Sequence, residues 1–236
     1  MNKVIIALCL GVATLLPNVA VAQDKPTIGV IEFKNESGAG WWSGGVGWEL
    51  AGMLSNELAA TNAFRIVERS KLDSVLAEQN LGASGRVSAA SGAQMGKLTG
   101  AQYLVAGTVT AYEEGAKETG GGLSIRGISL GGNSSEAYLA VDIRVINSTT
   151  GEIDFVRTIE GRAKSGGMSI GVSRGGFGGA LGQQNKTPAG KAIRAALVEI
   201  TDYLECAMVR QGGCMAEYDA KEQKRRDSSR GALDLD

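Results

Sequence analysis

Two glycine-rich stretches, residues 113–137 and 164–187, interrupt an otherwise regular α/β pattern and bracket a clean pair of strands. Glycine has no side chain to bury, so neither stretch can supply a core of its own. On one reading they are linkers or surface loops. On the other they are membrane hairpins. A spanning strand takes about 9–11 residues, so two strands and a turn need roughly 20–26, and both stretches fall in that range. Each holds a partly alternating piece: Leu123-Ser124-Ile125 followed by Ile128 and Leu130 in the first, and Met168, Ile170 and Val172 in the second. Four strands from one chain would leave two open edges, and unpaired backbone in hydrocarbon is costly. The smallest barrels have about 8 strands. Inserted hairpins therefore demand several copies that close one barrel, arranged as a ring with head-to-tail interfaces.

Outside these stretches the periodicity is legible. Residues 27–33 alternate as a strand, 46–60 show helical spacing through Leu50, Met53, Leu54 and Leu58, and 64–68 form a second short strand. Ser70 is the expected cap of a helix carrying Leu72, Val75 and Leu76. A weaker helix is expected over 88–98 and a third strand over 102–112. Residues 138–147 place Leu139, Val141, Ile143 and Val145 on one face of a strand, and 152–163 return as its partner after a turn at 148–151. Pro188 opens a helix whose stripe is Ile193, Leu197, Ile200, Leu204 and Met208. The charged tail from 217 is expected to be disordered. The fold class is thus α/β: a single periplasmic domain over 23–209 with two glycine-rich β-hairpin insertions that would form part of an oligomeric transmembrane β-barrel, and a charged tail over 210–236.

The periplasmic assignment rests on the first 22 residues. Lys3 precedes an apolar run over 4–16, and Ala20-Val21-Ala22 is an A-x-A cleavage site. The run is too short to span a bilayer. Cys9 lies inside it behind Leu8, without the small residue a lipidation site needs, so cleavage after Ala22 and no lipid is the expectation. Export to an oxidising compartment leaves Cys206 and Cys214, either as a disulfide across Gly212-Gly213 or as two independent thiols.

Composition excludes much chemistry. The chain has no histidine, which removes histidine-based nucleophile systems, metal sites and proton shuttles. With 24 basic and 25 acidic side chains there is no electrostatic case for nucleic acid. Gly38, Gly40 and Gly44 lie between a strand and a helix, but their spacing departs from the dinucleotide fingerprint, and Trp41 and Trp42 stand where a phosphate would approach the backbone. Gly96-Lys97 is followed by Leu98, so a Walker loop is absent. Glu113 and Glu114 should point to opposite sides of a strand, and Asp142 and Arg144 suit a cross-strand ion network better than acid–base work. No enzyme, metal or cofactor is expected. The Trp41–Trp42 pair either folds onto the core or forms an exposed loop that touches a ligand or narrows a passage.

Three motifs carry a resemblance. They are Phe64-Arg65-Ile66-Val67-Glu68-Arg69 with Leu72, Val75, Leu76, Glu78 and Gln79; Leu98-x-Gly100-Ala101-x-Tyr103-Leu104-Val105-x-Gly107; and Val145-Ile146-Asn147-x-x-Thr150-Gly151-Glu152-Ile153. In this order, across 27–209, the chain resembles the curli secretion channel family (CsgG/HfaB). The resemblance implies a homo-oligomeric outer-membrane ring whose periplasmic α/β domains support a shared barrel built from two hairpins per subunit. It implies that the loop after the first strand forms a constriction for an unfolded exported protein, with Trp41 and Trp42 as its large side chains. It also implies export or assembly of curli-like surface fibres or adhesins without nucleotide. The alternative is a soluble periplasmic scaffold that binds an envelope-assembly partner.

Overall fold

The structure is a computed structural model that describes residues 24–118, 124–125, 128–129, 133–164 and 187–232. The expected leader, residues 119–123, 126–127 and 130–132 of the first glycine-rich stretch and nearly all of the second lie outside the described residues. Along the chain come β1 (Thr27–Val30), β2 (Lys34–Asn35), α1 (Val46–Ala60), β3 (Arg65–Val67), α2 (Leu72–Ala83), β4 (Tyr103–Glu118), β5 (Ser124–Ile125) and β6 (Ile128–Ser129). They are followed by β7 (Asn133–Asn147), β8 (Ile153–Lys164), α3 (Pro188–Glu205), a π turn (Cys206–Arg210) and α4 (Gly213–Gly231). The mixed α/β architecture is built on a six-stranded sheet of order β3-β1-β4-β7-β8, with β2 beside β4.

Half of this sheet is parallel and half antiparallel. β1 runs parallel to β3 and to β4, whereas β4, β7 and β8 form an antiparallel meander. The apolar alternation of β7 decides which face is buried. Leu139, Val141, Ile143 and Val145 all join the core, together with Ile28, Val105, Val109 and Ile159. α1 and α3 cover that face through Leu50, Leu54 and Leu58 and through Ile193, Leu197, Ile200 and Leu204. Burying each of these side chains is worth about 1.5–3 kcal/mol, so this layer dominates the stability of the domain.

Two glycines permit the close layers. A Cβ on Gly107 in β4 would fall inside the Phe33 ring, which lies directly over it. A Cβ on Gly161 in β8 would fall on the Ala192 carbonyl and lie 2.9 Å from the Ala196 Cβ of α3.

β4 and β7 do not stop where the core ends. Their pairing continues from Tyr103↔Asn147 out to Glu118↔Asn133, well past the strand ends expected at 112 and 138. β5 and β6 then pair Ser124 with Ser129 and Ile125 with Ile128, so both registers centre near residue 126. The expected insert boundaries of 113–137 and 164–187 therefore overlap the domain. Ala137 is fully buried, and Thr187 caps α3 by accepting from the Gly190 N–H at 3.1 Å.

Several other expectations are corrected. Residues 88–98 form turns rather than a helix. Gly96 takes φ +72°, and Gly92 lies against Gly82 of α2. Ser70 does not cap α2, which has no side-chain cap at its N-cap Lys71; Glu68 instead fixes the turn before the helix, its Oε1 accepting from Ser70 N–H (2.6 Å), Ser70 Oγ (2.7 Å) and Lys71 N–H (3.2 Å). Burial pushes the Glu68 carboxyl up, but these hydrogen bonds outweigh it and hold the group below its usual range. Asp142 meets the Thr158 hydroxyl directly across the ladder at 2.7 Å instead of joining an ion network there.

The charged tail is also helical. Ion pairs at one-turn spacing, Glu217–Lys221, Glu222–Arg225 and Glu222–Arg226, support α4 along its own surface. Tyr218 anchors it by packing edge-on to Tyr203 of α3 with centroids 5.2 Å apart. Arg157 of β8 adds a second clasp, with its guanidinium over the Tyr203 ring and bonded to Asp219 (2.8 Å) and the Tyr218 carbonyl (3.2 Å).

Cys206 and Cys214 are joined across the π turn, with Cα atoms 6.0 Å apart. Gln211 and Gly212 take positive φ and reverse the chain between them. A bridge closing so short a loop contributes about 2–3 kcal/mol. Mass spectrometry of unreduced, protease-digested protein should find a single peptide pair linking the two cysteines. Free thiols at both positions in periplasmic material would refute the bridge.

Candidate constriction loop

The loop that joins β2 to α1 is built mainly from its own polar groups. Asn35 Oδ1 accepts from Ser37 N–H (3.0 Å) and Ser37 Oγ (2.7 Å), and Ser37 Oγ in turn accepts from Ala39 N–H (3.2 Å). Such side-chain turns hold a short loop without regular structure. Glu36 N–H ties its start to the Val109 carbonyl of β4 at 2.8 Å. Gly38 (φ +69°) and Gly45 (φ +90°) supply the left-handed turns at either end. Between them the Trp42 N–H donates to the Ala39 carbonyl at 3.1 Å, and this turn carries both tryptophans.

A bulge in β4 prepares the surface on which they rest. The register slips between Val109 and Ala111. Beyond the slip Tyr112, opposite Leu139, turns to the helix-covered face. Trp41 packs edge-on to Tyr112 at 5.5 Å and tilted against Trp42 at 5.5 Å. The Tyr112 hydroxyl donates to Glu114 Oε2 at 2.6 Å. Burial first, and then the Glu114 carboxylate, push the phenol far above its ordinary range, so Tyr112 stays a neutral donor. Glu113 and Glu114 alternate across the strand, and only Glu114 meets Tyr112.

Trp41 and Trp42 are therefore half-buried and rest on the edge of the core. They are neither free in solvent nor fully interior. The Trp41 Nε1 is buried with no hydrogen-bond partner among the described residues. The loop thus presents a rigid aromatic ridge fixed to β4. Trp41→Ala should cost about 2–3 kcal/mol, below the full core value because the ring is part-exposed. Trp41→Phe should lose much less, since it also removes an unsatisfied buried donor. Urea denaturation of the two variants checks this; an unchanged midpoint for the alanine variant would show that the ring is not packed.

Sequence periodicity missed two features. Tyr112 enters the cluster only through the bulge, which leaves no trace in the alternation. Trp48 lies on the exposed side of α1, and an aromatic outside the apolar stripe was a readable signal. The ridge, with Trp48 and the segment Ile31–Glu36, borders a shallow groove of about 620 Å³. A second, polar basin of about 520 Å³ lies between Asp142, Arg144 and Thr158 of the meander and Asp219, Glu222 and Arg225 of α4. Among the described residues no helix is long and apolar enough to cross a membrane.

The family model described as "Curli production assembly/transport component CsgG" matches residues 13–232, nearly the whole chain. The chain belongs to the CsgG family. No curated protein sequence matches it. Among solved structures this CsgG family member is similar to the hypothetical protein CT253 from Chlamydia trachomatis, with 12% identity and TM-score 0.47 over 79% of this chain and 99% of that one. It is similar to a putative neuraminyllactose-binding hemagglutinin homolog from Helicobacter pylori, with 14% identity and TM-score 0.42 over 85% and 91%. The PelC dodecamer from Paraburkholderia phytofirmans matches with 12% identity and TM-score 0.32 over 74% and 85%. Likeness at this level carries no argument about this chain.

Structure also shows what the three family motifs do. Glu68 fixes the turn before α2. Gln102, inside the second motif, accepts from the Thr27 N–H at 2.9 Å and seats β1 beside β4. In the third, Asn147 Oδ1 accepts from Thr149 and Thr150 N–H, Thr150 Oγ1 accepts from Glu152 N–H, and Gly151 supplies φ +77°. The three sites order turns and the pairing of β1 with β4.

Proposed function

We propose that this CsgG family member is a subunit of a non-enzymatic outer-membrane secretion channel for export or assembly of curli-like fibres or adhesins. One observation carries the reading: the β4–β7 ladder runs past Ala137, the last core residue on this end of β7, to Glu118↔Asn133, with β8 described beside it as far as Glu136↔Lys164, and β5–β6 continues the same fold-back. A narrow antiparallel ribbon is unstable alone in water or in lipid, so its edges need neighbours. Copies of this chain in a ring would supply them, with residues 164–187 providing the second hairpin of each subunit. The Trp41–Trp42 ridge is then the constriction past which an unfolded protein moves, and Trp42→Ala should widen it and raise single-channel conductance.

The test is the behaviour of the intact mature chain. A channel subunit sediments with outer membranes, needs detergent after extraction and forms rings visible by negative stain. A chain that is soluble and monomeric without detergent ends this reading, and the periplasmic scaffold takes its place.

A further inference from the structure

The groove beside the tryptophan ridge has a chemistry of its own. It is lined by Trp42, Trp48, Glu32, Lys34 and Glu36 over a floor that includes Phe33. Trp48 is part-exposed on the first turn of α1. Glu32 is held against that same turn: a Cβ on Gly47 would lie 2.8 Å from the Glu32 Cγ and 3.2 Å from its Oε1. The Phe33 N–H bonds to the Gly47 carbonyl at 3.2 Å and locks the strand to the helix there. The absence of a side chain at Gly47 thus makes room for the Glu32 side chain against the turn that also carries Trp48. Glu36 is fixed at the other end of the segment by its own N–H bond to Val109. Among the described residues neither Glu32 nor Glu36 makes an ion pair. The outward charge is two carboxylates against Lys34.

Two tryptophans and two unpaired carboxylates around one groove match one kind of guest. Indole faces attract a cation that also has apolar carbons, and the carboxylates supply the opposite charge. We propose that this groove binds an arginine or lysine side chain presented by an extended segment of a partner polypeptide. The guanidinium or ammonium group lies between Trp48 and the carboxylates of Glu32 and Glu36, and the aliphatic stem lies on Trp42. Lys34 sets a preference for spaced basic residues over a continuous run. The site is independent of the channel reading, because binding is measured on the chain in solution or detergent and needs no pore.

All three tryptophans of the chain, Trp41, Trp42 and Trp48, lie at or beside the groove, so intrinsic fluorescence reports its occupancy directly. The probe is the blocked peptide Gly-Arg-Gly-Arg-Gly, titrated into the intact mature chain beside the same peptide with citrulline at both arginines. The arginine peptide should shift the emission saturably, and the citrulline peptide should bind at least about tenfold more weakly, since only the charge differs. E32Q/E36Q should weaken the arginine peptide by about fivefold to tenfold, and the effect should shrink as salt rises from about 50 to about 500 mM. W48A should weaken it similarly, with circular dichroism unchanged because the residue is part-exposed. Equal binding of the two peptides, or unchanged binding to E32Q/E36Q, would overturn the proposal. A neutral oligosaccharide that shifts the emission while the arginine peptide does not would also overturn it, and would make the groove a glycan site.

Discussion

A chain in which short Gly-Ser turns replace residues 119–132 and 165–186 is expected to fold, to remain in solution without detergent and to lose every pore. The described core supports the first half of this result. Among the described residues its buried side chains stop at Val109 on β4 and resume at Ala137 on β7 around the first cut, and stop at Ile159 on β8 and resume at Ala189 on α3 around the second. The cuts spare Glu118↔Asn133, the outermost described pair of the ladder, and the Thr187 cap of α3. Replacing the wider segments 113–137 and 164–187 would remove Ala137 and that cap, and would confuse loss of membrane binding with loss of fold. The second half follows from the channel reading: without the hairpins there is nothing to close a barrel. Membrane fractionation and planar-bilayer recordings of the trimmed and intact chains decide it. A trimmed chain that still sediments with outer membranes would show that another segment makes the attachment.

Gly161→Val should cost about 3 kcal/mol, at the upper end of overpacking effects, because the nearest obstacle is backbone. The new side chain would be driven into the Ala192 carbonyl and the Ala196 Cβ, so α3 must move away from β8 or β8 must leave the sheet. For a chain of this size that corresponds to a fall in Tm of roughly 6–12 °C. Gly115→Val is the control. It lies on β4, where a Cβ meets nothing within 4 Å, and it should be neutral or slightly stabilising because valine suits a strand. Thermal melts of the two variants separate a packing requirement from a general intolerance of side chains in the sheet. Equal melting temperatures would mean that the α3–β8 contact is looser than the structure has it.

Legibility in the sequence followed the burial. β7 was readable because its alternate residues are all interior, and α3 because its stripe is wholly buried. The parallel strands were readable as short apolar runs. The failures share one physical cause, which is that long-range pairing overrode local composition. β4 and β7 run into glycine-rich sequence because each satisfies the backbone of the other, whatever their side chains. α4 forms in a segment of very low hydropathy because Tyr218, Arg157 and its own ion pairs hold it. Residues 88–98 had enough helix formers to suggest a helix, but contact with Gly82 and the turn at Gly96 shaped them instead. The tryptophan loop was visible as a composition anomaly. The bulge that presents Tyr112 to it was not, because a single slipped residue leaves no periodic mark.

The parallel half of the sheet also has a consequence for time order. Thr27 pairs with Arg65, and Ile28 pairs with Tyr103. The first strand to emerge during synthesis is thus flanked by two strands that emerge later, and like β2 and β3 it pairs with no strand adjacent in sequence. The meander of β7 and β8 needs only the turn at Asn147–Glu152 and closes locally. Local closure of the meander is therefore expected to precede the insertion of β1 between β3 and β4. A domain ordered in this way leaves its first strand unpaired until both of its neighbours are in place.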